Sequence, residues 1–83
     1  MGMNRQCGPW IVVASGGRLA GRRMTRGAAL RLALEDATEY KWMVFVGYVS
    51  GNYDVVWTDR VYPGGNIVSN INLERLRAEG VPI

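Results

Sequence analysis

Apolar residues in this chain come in short blocks separated by glycine, asparagine and proline, and the period of the blocks changes along the sequence. The densest stretch is Trp42 to Thr58. Two arms rich in Val, Tyr, Trp and Phe flank Ser50-Gly51-Asn52-Tyr53. Such arms suit a pleated, packed surface, and the glycine between them marks a turn, so the stretch predicts a β-hairpin. Gly51-Asn52 fits a two-residue turn of type II′ or I′. That turn sets Tyr48 opposite Val55, Val46 opposite Trp57 and Phe45 opposite Thr58. Side chains alternate along a strand. One face then carries Trp42, Val44, Val46, Tyr48, Tyr53, Val55 and Trp57, and the other Met43, Phe45, Gly47, Val49, Asp54, Val56 and Thr58. A hairpin with one wet face alternates apolar and polar residues. This one does not, which predicts a cover for each face.

The flanking segments supply the rest of a small domain. Trp10 to Ser15 reads as a strand, Gly16-Gly17 as a turn, and Arg18 to Met24 as a weaker returning strand with a bulge near Gly21. Thr25 is a good N-cap for a helix from Arg26 to Tyr40. Ala29, Leu30, Ala33, Leu34 and Ala37 fall at helical spacing on its apolar stripe, with Arg31, Glu35 and Glu39 on the wet side. Beyond the central hairpin, Val61-Tyr62 predicts a short strand, Pro63-Gly64-Gly65-Asn66 a turn and Ile67 to Ser69 an edge strand. Asn72 is placed to cap a helix from Leu73 to Glu79, with Gly80 at C′ and Pro82 as a stop. The predicted fold class is α+β: a small antiparallel sheet in β-β-α-β-β order packed on one main helix, with a short C-terminal helix. It forms a single domain over 9–83 behind a flexible lead-in at 1–8. One helix covers one face of the hairpin. The face bearing Trp42, Tyr48, Tyr53 and Trp57 is therefore the expected interface for the C-terminal helix, a second copy in a homodimer, or another protein.

Composition narrows the chemistry. The chain has 83 residues, of which 48% are apolar, enough for one modest core. It contains one cysteine, Cys7, and no histidine. An internal disulfide is excluded, and zinc binding, general-base catalysis and nucleophile activation lack their commonest residue. Ser15, Ser50 and Ser69 have no histidine partner or nucleophile-elbow context. The expectation is no catalytic residue, no metal site and no cofactor. No apolar run approaches the ~20 residues of a membrane span. The opening residues lack the apolar core of a signal peptide, and Gln6 breaks the myristoylation pattern. A soluble, cytoplasmic protein with no membrane partner is expected.

Charge adds one suspicious feature. Net charge is +3, but residues 1–31 hold six Arg and no acid, whereas 32–83 hold four Lys or Arg against seven Asp or Glu. Arg22, Arg23 and Arg26, with Arg18 nearby, crowd the start of the main helix, and Glu35, Asp36 and Glu39 crowd its end. Both groups oppose the helix macrodipole. Spare N–H groups beside several arginines suit an anion, either a phosphate or a partner's carboxylates. The plainer reading pairs each charge with an acid or base elsewhere in the fold. The glycine-rich run from Ala14 to Thr25 sits between strand and helix as a phosphate-binding loop does. It lacks the Lys-Ser/Thr that such a loop needs after Gly21, so turn glycines are the better reading. Tyr48, Tyr53 and Trp57 could stack bases of a single-stranded nucleic acid, against the alternative of core or dimer interface.

The layout of a hairpin, a helix and a second hairpin in a very short basic chain is similar to that of several small phage-encoded inhibitors, some anti-CRISPR proteins among them. The similarity is one of size and architecture and carries no residue over. The first expectation, argued from the residues, is a non-enzymatic protein that inhibits or regulates by occupying the surface of a protein or ribonucleoprotein partner, through Arg22, Arg23 and Arg26 with nearby Arg18, or through the exposed aromatic face. The alternative is a nucleic-acid-binding protein whose Arg18, Arg22, Arg23 and Arg26 contact phosphates.

Overall fold

The computed structural model describes residues 8–83. The lead-in expected at 1–8, apart from Gly8, lies outside the described residues, as does Cys7. The elements run β1 (Trp10–Ala14), β2 (Leu19–Arg23), α1 (Arg26–Tyr40), β3 (Val44–Val49), β4 (Val55–Val61), β5 (Ile67–Ser69) and α2 (Leu73–Ala78). The protein is α+β, with one five-stranded antiparallel sheet in the order β2-β1-β3-β4-β5. β2 and β3 flank β1 and are each antiparallel to it, so they point the same way, and α1 makes the crossover between them. The helix lies across β1, β2 and β3 and reaches β4.

The caps follow the sequence. Thr25 is extended and its hydroxyl accepts from the Ala28 N–H at 3.3 Å, and Asn72 accepts from the Arg75 N–H at 3.1 Å. Gly80 follows α2 with φ of 73°. β5 is the edge strand that the sequence predicts. Val61 is the last residue of β4 rather than part of a separate strand.

The core sits on one face of the sheet, called inner below. Trp10, Val12, Ala14, Val44, Val46 and Tyr48 point there and are sealed from water. Ala29, Ala33 and Ala37 of α1 pack on them; side chains of one carbon let helix and sheet approach closely. Leu34 leaves the predicted stripe and is 39% exposed, while Asp36, at the opposite edge of the stripe, is buried. Leu76 of α2 joins the same cluster, and the indole N–H of Trp10 donates to the Pro82 carbonyl, which ties the C-terminal segment to β1. Both helices thus serve the inner face.

The central hairpin departs from its predicted register at two places. The loop is three residues long. The Ser50 N–H donates to the Asp54 carbonyl at 2.8 Å, the Tyr53 N–H donates to the Ser50 carbonyl at 2.9 Å, and Tyr53, with φ of 66°, takes the left-handed conformation in place of Gly51. Val49 therefore pairs with Val55, and Gly47 with Trp57. Further along, Val46 pairs with Asp59, which leaves Thr58 as an extra residue in a bulge. Each one-residue shift turns the following side chains to the other face. The two shifts return Val61 to the inner face but reverse Val55 and Trp57 between them. A single face holding Tyr48, Val55 and Trp57 does not form.

Candidate functional site

The four arginines of the predicted anion site are separated. Arg26, the first residue of α1, forms a forked ion pair with Asp59: its Nη2 is 2.6 Å from Oδ1 and its Nε 3.2 Å from Oδ2. The Thr58 hydroxyl donates to the same carboxylate at 2.6 Å and the Ser69 hydroxyl at 2.5 Å. Burial alone would raise the Asp59 carboxyl, but donors from Arg26, Ser69 and Thr58 together outweigh it and hold the group below its ordinary value. Arg18 works at the far end of the helix, roughly 15 Å along it from Arg26. Its Nη1 donates to Asp36 at 3.5 Å, and its guanidinium carbon lies 5.0 Å from the Tyr40 ring centre and 5.4 Å from that of Trp42. The Nε of Arg22 donates to the Gly8 carbonyl at 2.9 Å, and Nη1 of Arg23 donates to the Arg22 carbonyl at 2.7 Å.

This arrangement answers the charge puzzle. The first turn of α1 holds no acid and its last turn no base. Asp59 brings a carboxylate to within one side chain of the helix start, and Arg18 brings a cation to Asp36 near its end. The charges that oppose the dipole locally are balanced by residues from β4 and from the β1–β2 loop. The glycines of that loop are turn glycines: Gly16 and Gly17 have φ of 98° and 92° inside a hairpin.

The predicted aromatic interface is likewise divided. Tyr48 is buried against Trp10 with ring centres 5.5 Å apart. Trp42 donates its indole N–H to Asp36 at 2.9 Å and stacks on Tyr40 beyond the end of α1. Tyr53 stands at the hairpin tip, 88% exposed. Only Trp57 looks out from the outer face of the sheet, where it is 48% exposed.

That outer face is the candidate surface. Register and alternation place Val13, Phe45, Gly47, Trp57, Arg60 and Val68 on it, with Leu19, Ile11 and Arg22 toward β2. Neither helix covers it. A shallow hollow of about 560 Å³ runs across it, lined in part by Val13, Phe45, Trp57, Arg60 and Val68. The Trp57 indole lies over Gly47, and a Cβ there would stand 2.9 Å from its ring and 2.7 Å from the Val56 carbonyl oxygen. Phe45 meets that indole edge-on at 5.9 Å. Trp57 is thus held flat by a cross-strand glycine and a neighbouring ring. Sequence reasoning singled out Trp57 but placed it with Tyr48 and passed over Phe45, Arg60 and Val68. The predicted register set Gly47 opposite Val56, so its pairing with Trp57 emerges only in the fold.

Among the described residues no helix is long and apolar enough to cross a membrane. Compared with protein families, curated proteins and solved structures, the chain matches none.

Proposed function

We propose that the protein is a non-enzymatic binding protein that inhibits or regulates by occupying the surface of a macromolecular partner, and that it does so with the outer face of its sheet. One observation carries this reading. Trp57 and Val68, 48% and 54% exposed, flank a hollow on a sheet face that both helices leave open. An open apolar face with a fixed aromatic residue at its centre suits a binding surface. Arg26 and Arg18 recede from the site because each has an intramolecular partner.

The test is a quantitative comparison of what tagged wild-type and variant proteins retain from a cell lysate, with proteins identified by mass spectrometry and nucleic acids by nuclease sensitivity. Trp57→Glu/Val68→Glu is expected to keep the wild-type circular dichroism spectrum and to lose the partner. Retention of the partner by that variant would overturn the reading.

A further inference from the structure

We infer that the occupant of the outer sheet face is a single-stranded nucleic acid, with a base stacked on Trp57 and a phosphate held by Arg60. This rests on the reading of that face as the binding surface and names its ligand.

Charge selects an anionic ligand. Among the described strand positions of this face the charged residues are Arg22 and Arg60, and there is no carboxylate. Asp59 contributes to the wall of the hollow, but its carboxylate is engaged by Arg26, Ser69 and Thr58. Arg60 is exposed and has no ion-pair partner among the described residues. A second copy docked face to face would bury two guanidinium groups from each chain with no acid between them, which disfavours self-association.

Shape selects a planar, flexible ligand. Trp57 is clamped by Gly47 and Phe45 yet keeps nearly half its surface in water, so it presents a ring in fixed position to a base. Stacking on a pre-set ring is tolerant of base identity, and unpaired bases are the ones free to stack. Arg60 and Trp57 lie on β4, and Arg22 on β2 is three strands away, roughly 14 Å at the ~4.8 Å spacing of neighbouring strands. Trp57 stands in the cross-strand row of Gly47, Ile11 and Arg22, so a strand of nucleic acid running across the sheet meets Arg22 at one side and Trp57 with Arg60 at the other. A rigid duplex cannot offer an unpaired base to Trp57, so single strands are favoured over duplexes.

The test is fluorescence anisotropy of labelled oligothymidylate, oligouridylate and a duplex, each about 15 units long, titrated with the whole chain at roughly 50 and 200 mM salt. One or both single strands bind more tightly than the duplex, and the two arms separate DNA from RNA. Trp57→Ala weakens binding about 5- to 150-fold while Trp57→Phe retains most of it. Arg60→Ala lowers the dependence of log K on log salt by about 0.7. Arg31→Ala, which removes an exposed cation from the wet side of α1, changes affinity less than about twofold. No binding by folded wild-type protein at the lower salt overturns the inference. So does wild-type affinity in Trp57→Ala, or a loss in Arg31→Ala equal to that in Arg60→Ala. If oligonucleotides fail but a protein is still captured in a Trp57-dependent way, the face remains the binding surface and its ligand is a protein. If both fail, the face is not the site.

Discussion

Val46 and Phe45 are neighbours on β3, yet Val46 has no contact with water while Phe45 looks out from a face that neither helix covers. The residues of the two faces are alike in kind: Val, Trp and an aromatic partner on each. Their neighbours differ. The inner face meets three alanines of α1 and Leu76 of α2 and becomes the core. The outer face meets a hollow. Apolar content therefore does not separate core from surface in this chain. Separation comes from where the helices land and from the one-residue shift at the hairpin loop, which turns Trp57 away from Tyr48.

The inner face depends most on the junction of bulge and helix. Asp59→Ala leaves Arg26 without its carboxylate and removes the acceptor for Thr58 and Ser69. The expected cost is about 3–5 kcal/mol, as for other broken buried pairs. That is a large share of the roughly 4–12 kcal/mol a domain of this size has, and urea unfolding measures it. The same residue gives an acid dependence. Its carboxyl is held below its ordinary value in the fold, so the unfolded chain binds its proton first as pH falls. The stabilisation is complete above about pH 4, and is lost as pH drops through the lower native value. Asp59→Asn removes that part of the acid transition.

Next in size is a direct contrast between faces. Val46→Ala on the inner face should cost roughly 2–3 kcal/mol, because the sealed site cannot collapse around the lost methyls. Val68→Ala on the outer face should stay within about 0.5 kcal/mol, since its side chain is already in contact with water. Thermal melts of the two variants measure both. Equal costs would mean that something covers the outer face in solution.

Gly47→Ala acts on the outer face alone. The added methyl meets the Val56 carbonyl at 2.7 Å and the Trp57 ring at 2.9 Å, so strand or indole must move. Overpacking of this kind costs about 1–3 kcal/mol. The sharper readout is Trp57 itself: a shift in its fluorescence emission, together with weaker oligonucleotide binding, links the glycine to the position of the ring.

Much of this architecture was legible in the sequence. The helix limits, both N-caps, the edge strand and the α+β class follow from Thr25, Asn72, the spacing of Ala29, Ala33 and Ala37, and the glycine turns. The bulge was not legible. Thr58 and Asp59 are reserved for an ion pair with Arg26, 33 positions away, and no local pattern announces a partner at that distance. The same pairing hid the fate of the arginine patch. Counted along the chain, Arg22, Arg23 and Arg26 are a cluster; in the fold Arg26 turns to β4, while Arg18 turns to the other end of α1. Local charge counting sees the helix ends as mismatched because the balancing groups arrive from elsewhere in the chain.

The smallest expected effect lies at the tip of the hairpin. Among the described residues three loops close with the same pair of hydrogen bonds, at Ala14–Arg18, Ser50–Asp54 and Tyr62–Asn66. The residue before the last in each has positive φ: Gly17, Tyr53 and Gly65. Tyrosine is the exception, and its Cβ is strained there where glycine is not. Its side chain gains no burial in return, being 88% exposed. Tyr53→Gly should therefore stabilise the fold by about 0.5–1 kcal/mol, the strain relieved less the added entropy of the unfolded chain. Measuring oligonucleotide affinity on the same variant divides the outcomes usefully. Higher stability with unchanged affinity confines the binding surface to the face around Trp57. Higher stability with weaker affinity extends it to the tip, with Tyr53 as a second ring whose strain is retained for binding.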